Sequence, residues 1–241
     1  MSKFYVYGDV HFHIESAQSF LDHEKPKKVI WLGDFTDSAG DSPERAKATG
    51  KWLRETMLAR PDDIFIQSNH DLAYRFPETD KYKICGWTKE KHEAFYSEFT
   101  AELWDRFVIA HKERWNGQDV WFSHAGLNKI FFPFGKFDEA HLARISKIAL
   151  DNGNKEEYNP LLDHWHYGPM WQRWSVFPLL DGICQVVGHS TYECPQIRAI
   201  ADKPEWNICF DCAHTYYGVF KEKHVYAINR HKGYEHLIKF S

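Results

Sequence analysis

Acidic, amide and histidine side chains stand directly after several apolar stretches of this 241-residue chain, where strands would end. Asp9 and His11 follow the stretch 3–7, and Asp34 follows the stretch 29–32. The carboxyl ends of parallel strands meet at one edge of an α/β sheet, so side chains that are distant in sequence can converge there. The residues in this position are Asp9, His11, Asp34, Asn69, His70, His124 and His189.

These residue types predict two divalent metal ions that share one carboxylate. Asp34 is expected to bridge the two ions with its two oxygens. The other ligands are expected to be Asp9 and His11 for one ion, and Asn69, His124 and His189 for the other. Mixed nitrogen and oxygen ligands favour manganese, iron or zinc over calcium or magnesium, and manganese is our first expectation. Each residue alone also fits an ordinary turn or surface position, so the ordered set carries the prediction.

Such a site would attract a phosphate group. Two divalent ions carry four positive charges, and the carboxylates of Asp9 and Asp34 return two negative ones, which leaves a cationic pocket. Ions about 3.5 to 4 Å apart can hold a hydroxide and clamp the phosphoryl oxygens of an in-line displacement. The sequence therefore predicts hydrolysis of a phosphate ester without a protein nucleophile.

The leaving oxygen still needs a proton, and His70, next to the expected ligand Asn69, can supply it. Asp37 follows Asp34 in the same loop and would hold the imidazole in one tautomer and favour its protonation. We therefore expect His70 and Asp37 to be the catalytic pair. The alternative is that His70 only packs beside the metals.

Alternating strands and helices are predicted to position these residues in the first third of the chain. The expected elements are strands at 3–7, 29–32 and 64–66, and helices at 14–22 and 43–59. Ser42 is a good N-cap for the second helix, and Pro43 suits its first position. Repeated strand, helix, strand order is typical of sheets built by crossover connections.

The rest of the chain is predicted to be helical and then rich in strands. Aromatic residues recur at helical spacing over 88–107 and indicate a helix that faces the core. Asn116 and Gly117 predict a hairpin between strands at 108–110 and 120–122. The further expected elements are a helix over 138–150 and strands at 183–187, 196–200, 206–210, 216–220, 225–228 and 235–239.

Composition limits the class of protein. A net charge of −4 gives no global basic surface for nucleic acid, and no apolar stretch approaches the length of a membrane span. The five cysteines are expected to be reduced thiols, although Cys209 and Cys212 have a spacing that leaves a redox or zinc role as a minor alternative. We expect one cytoplasmic domain, 1–241, with a helical insertion at about 80–107 and a loop-rich segment at about 151–175. The oligomeric state stays open.

Five short motifs resemble the calcineurin-like metallophosphoesterases. They are Gly8-Asp-Val-His11, Gly33-Asp-x-x-Asp37, Asn69-His-Asp71, His124-Ala-Gly126 and Gly188-His189, and Asp211-Cys-Ala213 is similar to a later turn of the family. The resemblance is closest to the bacterial and phage branch of the phosphoprotein phosphatases, because Thr191 stands where the wider superfamily has a second histidine. It implies a mixed α/β or α+β fold of the four-layer αββα type, the same two-metal ligand set, and the same pair of His70 and Asp37.

Departures from the family pattern concern the groups that bind phosphate. Ser38 stands where the family has an arginine that grips the substrate, and Arg45 or Arg75 could fill the gap. Arg173 lies in a stretch similar to the family's Trp-x-Arg element and is therefore expected to bind the phosphate, as is Asn69.

Three functions remain open from sequence. The first is a metal-dependent phosphomonoesterase similar to bacterial and phage protein serine/threonine phosphatases. The second keeps the chemistry but acts on a nucleotide, a dinucleoside polyphosphate or a nucleic-acid end. It is suggested by Phe12, which replaces a family glycine and could stack on a base, and by the aromatic stretch 164–174. The third is a non-catalytic binding module, which the complete ligand set speaks against.

Overall fold

Two β-sheets form the centre of the protein. The computed structural model describes residues 3–84, 86–129, 139–151, 159–163 and 168–238. The strands are β1 (Phe4–Tyr7), β2 (Val29–Trp31), β3 (Ile64–Ile66), β4 (Phe107–Val108), β5 (Ala110–Trp115), β6 (Gln118–Ser123), β7 (Cys184–Val187), β8 (Gln196–Ala199), β9 (Trp206–Cys209), β10 (Tyr216–Lys221), β11 (His224–Asn229) and β12 (Tyr234–Ile238). The first sheet has the order β12-β11-β10-β1-β2-β3-β4, and the second has the order β5-β6-β7-β9-β8.

Helices connect the strands and cover the sheets. They are α1 (Ile14–Glu24), α2 (Pro43–Ala59), α3 (Asn69–Arg75), α4 (Lys89–Tyr96), α5 (Glu139–Asp151) and α6 (Pro160–Asp163), with 3₁₀ turns at Asp80–Tyr82, Ala101–Arg106 and Trp174–Val176. The start of α2 follows the sequence signal, because the Ser42 hydroxyl accepts the backbone N–H of Arg45 and Pro43 occupies the first turn.

The alternation of side chains along β1 accounts for the inner and outer layers. Phe4 and Val6 point into a core between the two sheets, where the ring of Phe4 meets that of Phe122 from β6 edge to face. Tyr5 and Tyr7 point the other way, into a core that the first sheet shares with helices α1 to α4. Period-two alternation thus gives each face of the sheet its own apolar layer.

The second sheet is covered on its outer face by α5. Leu142 of this helix belongs to an apolar cluster with Trp121 of β6 and Ile183. The layers are therefore helix, sheet, sheet, helix, and the predicted αββα fold class is confirmed.

Parallel pairing brings the carboxyl ends of several strands to one edge. Strands β1, β2, β3 and β4 are parallel neighbours, as are β6, β7 and β9. In the first sheet Tyr7 pairs with Trp31, and Trp31 with Phe65, so the loops that follow these residues leave the sheet side by side.

The stretch 88–107 differs from its prediction as one helix. Helix α4 ends at Tyr96, and the chain bends before the 3₁₀ turn that follows. The bend lets aromatic side chains form a cluster, with ring centroids 4.8 Å apart for Phe95 and Phe99 and 5.0 Å apart for Phe99 and Trp104. Tertiary packing of the rings therefore outweighs helical spacing here, although all three side chains are buried in the core as predicted.

The predicted strand 108–110 is wrong, because it is divided between the two sheets. Val108 ends β4 in the first sheet, whereas Ala110 begins β5 in the second. The hairpin turn at Asn116 and Gly117 is present, and it joins β5 to a β6 that is longer than predicted.

Two expectations from composition concern the described residues only. The helices of the described segments lack the combination of length and apolar character that a bilayer crossing requires. Cys184, Cys194, Cys209 and Cys212 are free thiols, and Cys85 lies outside the described residues. Parts of the expected loop-rich segment 151–175, at 152–158 and 164–167, also lie outside them.

Asp63 holds the start of β2 against β3. Its buried carboxylate accepts hydrogen bonds from the backbone N–H of Val29 at 2.9 Å, the indole of Trp31 at 3.0 Å and the guanidinium of Arg60 at 2.6 Å. We expect Asp63→Ala to lower the free energy of unfolding by about 2 to 4 kcal/mol, because it leaves these donors without an acceptor. Urea denaturation followed by circular dichroism measures this loss.

The matched control is Asp62→Ala, at the exposed neighbouring carboxylate. We expect it to change the free energy of unfolding by less than about 0.5 kcal/mol. Equal losses for the two variants would contradict a structural role for the Asp63 carboxylate.

Candidate active site

The carboxylate of Asp34 lies at the centre of the predicted site. Its Oδ2 is 3.3 Å from Nε2 of His11 and 3.4 Å from Nε2 of His124. Asp34 and His124 are buried, and they come from the loops of different sheets. The site therefore lies where the two sheets meet.

Three histidines at the site are fixed by hydrogen bonds to backbone carbonyls. The pairs are His11 Nδ1 with the carbonyl of Asp37 at 2.9 Å, His124 Nδ1 with that of Leu32 at 2.7 Å, and His189 Nε2 with that of Trp171 at 3.1 Å. A carbonyl oxygen only accepts, so in a neutral imidazole these nitrogens carry the proton. The other nitrogen of each ring then presents a lone pair to the site.

The lone pair of His124 Nε2 faces several other acceptors. Oδ1 of Asn69 lies 2.9 Å away and Nδ1 of His189 lies 3.1 Å away, in addition to Oδ2 of Asp34. A proton on Nε2 can be donated to one of these acceptors, whereas a cation can be shared by all of them. Ligands about 2.1 Å from one ion are roughly 3.0 to 3.4 Å apart, which matches these separations.

A second group of ligand atoms adjoins Asp34 on the side of His11. Nε2 of His11 lies 3.9 Å from Oδ2 of Asp9, and a nitrogen of His70 lies within 4.8 Å of ligand atoms of both His11 and Asp34. The two oxygens of Asp34 have different neighbours in the described structure. Oδ2 faces His11 and His124, while Oδ1 accepts the backbone N–H of His70 at 3.3 Å.

Backbone strain is concentrated at these residues. The φ angle is 41° at His11, 47° at Asp34, 64° at Asp37 and 65° at His189. Left-handed backbone costs energy in residues other than glycine and persists where the surrounding structure imposes it. Four predicted site residues in this region are an independent sign of function.

Two glycines allow close approaches inside the site. A Cβ on Gly188 would lie 2.2 Å from Oδ1 of Asp9, whose carboxylate accepts the backbone N–H of His189 at 3.0 Å. Gly33 has a φ of 103°, and a Cβ there would lie 2.6 Å from the Cβ of Ser68. Larger residues at these positions would displace the ligands.

Ser68 and Asp71 hold the Asp34 loop, a role that sequence reasoning missed. The Ser68 hydroxyl accepts the backbone N–H of Asp34 at 2.8 Å and donates to Oδ2 of Asp71 at 2.6 Å. Oδ1 of Asp71 accepts the backbone N–H and the hydroxyl of Thr36 at 3.0 and 2.9 Å.

Ser68 also caps α3, which begins at Asn69 and was not predicted. The pattern of a serine followed three residues later by an acid could have revealed this helix start.

Burial and neighbouring charges perturb the acids of the site. Burial raises the pKa of Asp9 well above its usual value, and the carboxylates of Asp211 and Asp34 raise it further. Burial opposes ionisation of Asp34 as well, but the imidazoles of His124, His70 and His11 outweigh it and hold that pKa well below the usual range. These surroundings therefore favour an ionised Asp34 and a protonated Asp9.

The predicted hydrogen bond between His70 and Asp37 is not formed. Nδ1 of His70 and Oδ2 of Asp37 are both buried and lack a hydrogen-bond partner among the described residues. Oδ1 of Asp37 instead accepts the ammonium of Lys91 at 2.7 Å. Burial, together with the nearby His11, His124 and Arg173, lowers the pKa of His70 to about 4, against the opposing effect of Asp34.

Arg173 reaches the site, whereas the two other candidate arginines bind elsewhere. Arg173 is exposed, and its Nη1 donates to the carbonyl of His189 at 3.1 Å. Arg45 forms an ion pair with Glu15, and Arg75 donates to the carbonyl of Trp104 at 2.8 Å. The suggestion that Arg45 or Arg75 replaces an arginine at Ser38 finds no support in these contacts.

The interpretation of Phe12 as a stacking wall is wrong. Phe12 is 0% exposed and packs edge to face against Tyr74 in the core below the helices. Trp171 and Trp174 are also buried, at 5% and 7% exposure. His164 and His166, at the start of the aromatic stretch 164–174, lie outside the described residues.

The donor set fits divalent cations. Imidazole nitrogens, carboxylates and an amide oxygen converge, and Asp34 is common to two groups of ligand atoms, one with His11 and His70 and the other with His124 and His189. The convergence of these nitrogen and oxygen atoms on Asp34 is the observation that carries this fit.

The fold and the cluster of imidazoles and carboxylates are those expected of a metal-dependent phosphoester hydrolase. The profile of the calcineurin-like phosphoesterases matches residues 2–210, and the chain belongs to this family, as the motifs predicted. The protein is therefore an enzyme of phosphoester hydrolysis, and its family generally uses divalent metals.

Solved structures show the same fold at low sequence identity. The cold-active protein-tyrosine phosphatase of a psychrophilic Shewanella species gives a TM-score of 0.67 at 12% identity, over 99% of this chain and 81% of that chain. Yfce, a phosphoesterase from E. coli, gives a TM-score of 0.50 at 11% identity, over 100% of both chains. A comparison with curated protein sequences found no match.

Asp34→Asn tests the shared ligand. We expect the wild-type chain to retain about two Mn²⁺ per chain after gel filtration and the variant to retain less than about one, because the amide removes the charge that both ions would share. Metal content is measured by plasma mass spectrometry. The control is Asp22→Asn on an exposed face of α1, which should retain both ions. Two ions per chain in Asp34→Asn would contradict a bridging role.

Proposed function

We propose that the protein is a dinuclear metal-dependent phosphomonoesterase that acts on phosphorylated serine and threonine side chains of proteins. The observation that carries the proposal is the set of imidazoles that are each held by a backbone carbonyl at one ring nitrogen and point the other nitrogen into the space around the buried carboxylate of Asp34. Such an arrangement is unfavourable in a packed core, because facing acceptors need a donor or a cation between them. It is suited to ligating two ions.

The ligands would divide between two ions that share Asp34. One ion would be held by Asp9, His11 and Asp34, and the other by Asp34, Asn69, His124 and His189. When bound, the ions would supply an activated water as nucleophile and neutralise the phosphoryl oxygens. Manganese is the metal that we propose, because the ligands mix nitrogen and oxygen.

His70 is the proposed proton donor to the leaving oxygen. Its ring stands 4.7 Å from that of His11, centroid to centroid, and its backbone is held by Asp34. A pKa of about 4 leaves the free imidazole unprotonated at neutral pH. A substrate phosphate dianion and the Asp37 carboxylate are the groups that would favour its protonated form.

Arg173 is the proposed phosphate clamp. The bond from its Nη1 to the carbonyl of His189 places the guanidinium beside a metal ligand, and its exposure leaves it open to a substrate. A guanidinium has five N–H donors, so several remain for a phosphate oxygen. Asn69, at the start of α3, would also contact the phosphate.

The buried aromatic residues favour a phosphoprotein over a nucleotide. Phe12, Trp171 and Trp174 motivated the nucleotide alternative, and the described structure places all three side chains in the core. Phosphoserine and phosphothreonine have no nucleobase, so a site for them needs no aromatic side chain on which a base could stack. Because the Shewanella enzyme is a protein-tyrosine phosphatase, phosphotyrosine is a necessary comparison substrate.

A substrate panel tests the proposal. With Mn²⁺ present, we expect kcat/KM for phosphoserine and phosphothreonine peptides to exceed that for nucleoside monophosphates and dinucleoside polyphosphates by at least about tenfold, because the rings of Phe12, Trp171 and Trp174 are buried and cannot stack on a base. Phosphate release is measured at matched concentrations. A preference for phosphotyrosine would change the residue specificity, and a preference for nucleotides would establish the alternative. Absence of hydrolysis of every ester, with both ions bound, would favour a binding module.

His70→Ala and Arg173→Ala separate proton transfer from phosphate binding. We expect His70→Ala to lower kcat by about 10² to 10⁴ while both ions stay bound, because the leaving oxygen loses its proton donor. We expect Arg173→Ala to raise KM by about tenfold to 100-fold, because a charge-assisted hydrogen bond to the substrate is lost. Steady-state kinetics and metal content are the measurements.

The control for these variants is Arg114→Ala, at an exposed guanidinium in the β5–β6 hairpin. Its kinetic constants should stay within about twofold of wild type. An unchanged kcat for His70→Ala would show that another group protonates the leaving oxygen.

A further inference from the structure

Lys91 is a buried lysine in the segment 80–107. Its side chain is 4% exposed, and its ammonium donates to Oδ1 of Asp37 at 2.7 Å and to the carbonyl of Ser38 at 3.4 Å. The ammonium also lies 5.8 Å from the centre of the buried Phe12 ring. Lysine is almost never fully buried unless it is paired, so the contact with Asp37 accounts for its position.

The position of Lys91 in its own helix is unfavourable for a positive charge. Lys91 is the third residue of α4, which begins directly after its N-cap, Thr88. The Thr88 hydroxyl accepts the backbone N–H of Lys91 at 3.2 Å. A cation at a helix N-terminus is opposed by the helix dipole, and burial of its charge adds to the cost. The attraction to Asp37 is the interaction that offsets both.

Asp37 is held by Lys91 through its side chain and by His11 through its backbone carbonyl. The backbone carbonyl of Asp37 accepts from the ring of His11 at 2.9 Å, so Asp37 already belongs to the site. A Cβ on Gly86 would lie 2.8 Å from Oδ1 of Asp37, so the segment 80–107 passes tightly over this carboxylate. With Oδ1 bound to Lys91, Oδ2 is the oxygen left to accept from an imidazole.

We propose that Lys91 is a positioning residue for His70 and Asp37. Its ammonium fixes the Asp37 carboxylate through Oδ1 and leaves Oδ2 free to accept the Nδ1–H of His70 during catalysis. These two buried atoms lack a hydrogen-bond partner among the described residues. The segment 80–107 is then part of the catalytic machinery, and it brings a positive charge next to Ser38. This inference deepens the proposed function and rests on it.

Steady-state hydrolysis of p-nitrophenyl phosphate with Mn²⁺ tests the proposal. We expect Lys91→Met to lower kcat by about tenfold or more, with KM within about threefold of wild type and both ions retained, because the substrate is not touched. Lys91→Arg keeps the charge and should retain at least about a third of the wild-type kcat. The control is Lys89→Met, at an exposed lysine of the same helix, which should match wild type. A folded Lys91→Met with the kcat of Lys89→Met would overturn the proposal.

A double-mutant cycle shows whether Lys91 acts through Asp37. In an Asp37→Asn background, Lys91→Met should change kcat by less than about twofold, because the group that it positions is already altered. If the two substitutions lower kcat by independent factors that multiply, the proposal is refuted, because Lys91 would then act in some other way than through Asp37.

Thermal melting tests the ion pair of Lys91 and Asp37 without an activity measurement. Lys91→Met leaves Asp37 buried without its partner and should lower the melting temperature by about 5 °C or more, whereas the double variant should recover most of that loss. If Lys91→Met does not fold, failure of the double variant to recover cooperative melting overturns the pairing. An inactive wild-type enzyme with this melting pattern would refute the proposed function alone, and an active enzyme without it would refute the role of Lys91 alone.

Discussion

The structure depends on keeping the carboxylate of Asp34 buried among imidazoles that turn a ring nitrogen toward it. Each imidazole is oriented by a hydrogen bond to a backbone carbonyl, so rotation away from the site would cost that bond. The loops adopt strained backbone to achieve this, with positive φ at His11, Asp34 and His189. Ser68 and Asp71 offset part of the strain, because their hydrogen bonds hold the Asp34 loop from beneath.

Both sheets contribute to the site, which makes its geometry a consequence of how they pack. Asp9, Asp34 and Asn69 follow strands of the first sheet, and His124 and His189 follow strands of the second. The distance between the two sets is set by the apolar core between the sheets. A shift in sheet packing would therefore separate the ligands even if every loop kept its own conformation.

Positive charge reaches the site from two separate segments of the chain. Ser38 provides none, and the described structure instead places the exposed guanidinium of Arg173 beside His189, a proposed ligand, and the buried ammonium of Lys91 behind Asp37. The two cations differ in what they can do. Arg173 can meet a substrate phosphate from solvent, whereas Lys91 can act only through the carboxylate that it contacts. Substrate binding and organisation of the acid–base pair would then be served by separate segments.

Local patterns determined much of this protein from sequence alone. The strand ends that carry Asp9 and Asp34, the capped start of α2, the hairpin turn and the order of the family motifs all depend on residues within a few positions of one another, so they could be read directly. Only the tertiary structure decided that 88–107 is broken after Tyr96, that Phe12 is buried, and that Asp37 is bound by Lys91, 54 residues away. These outcomes follow from the packing of rings and the pairing of charges between distant segments, which no short-range pattern in a chain specifies.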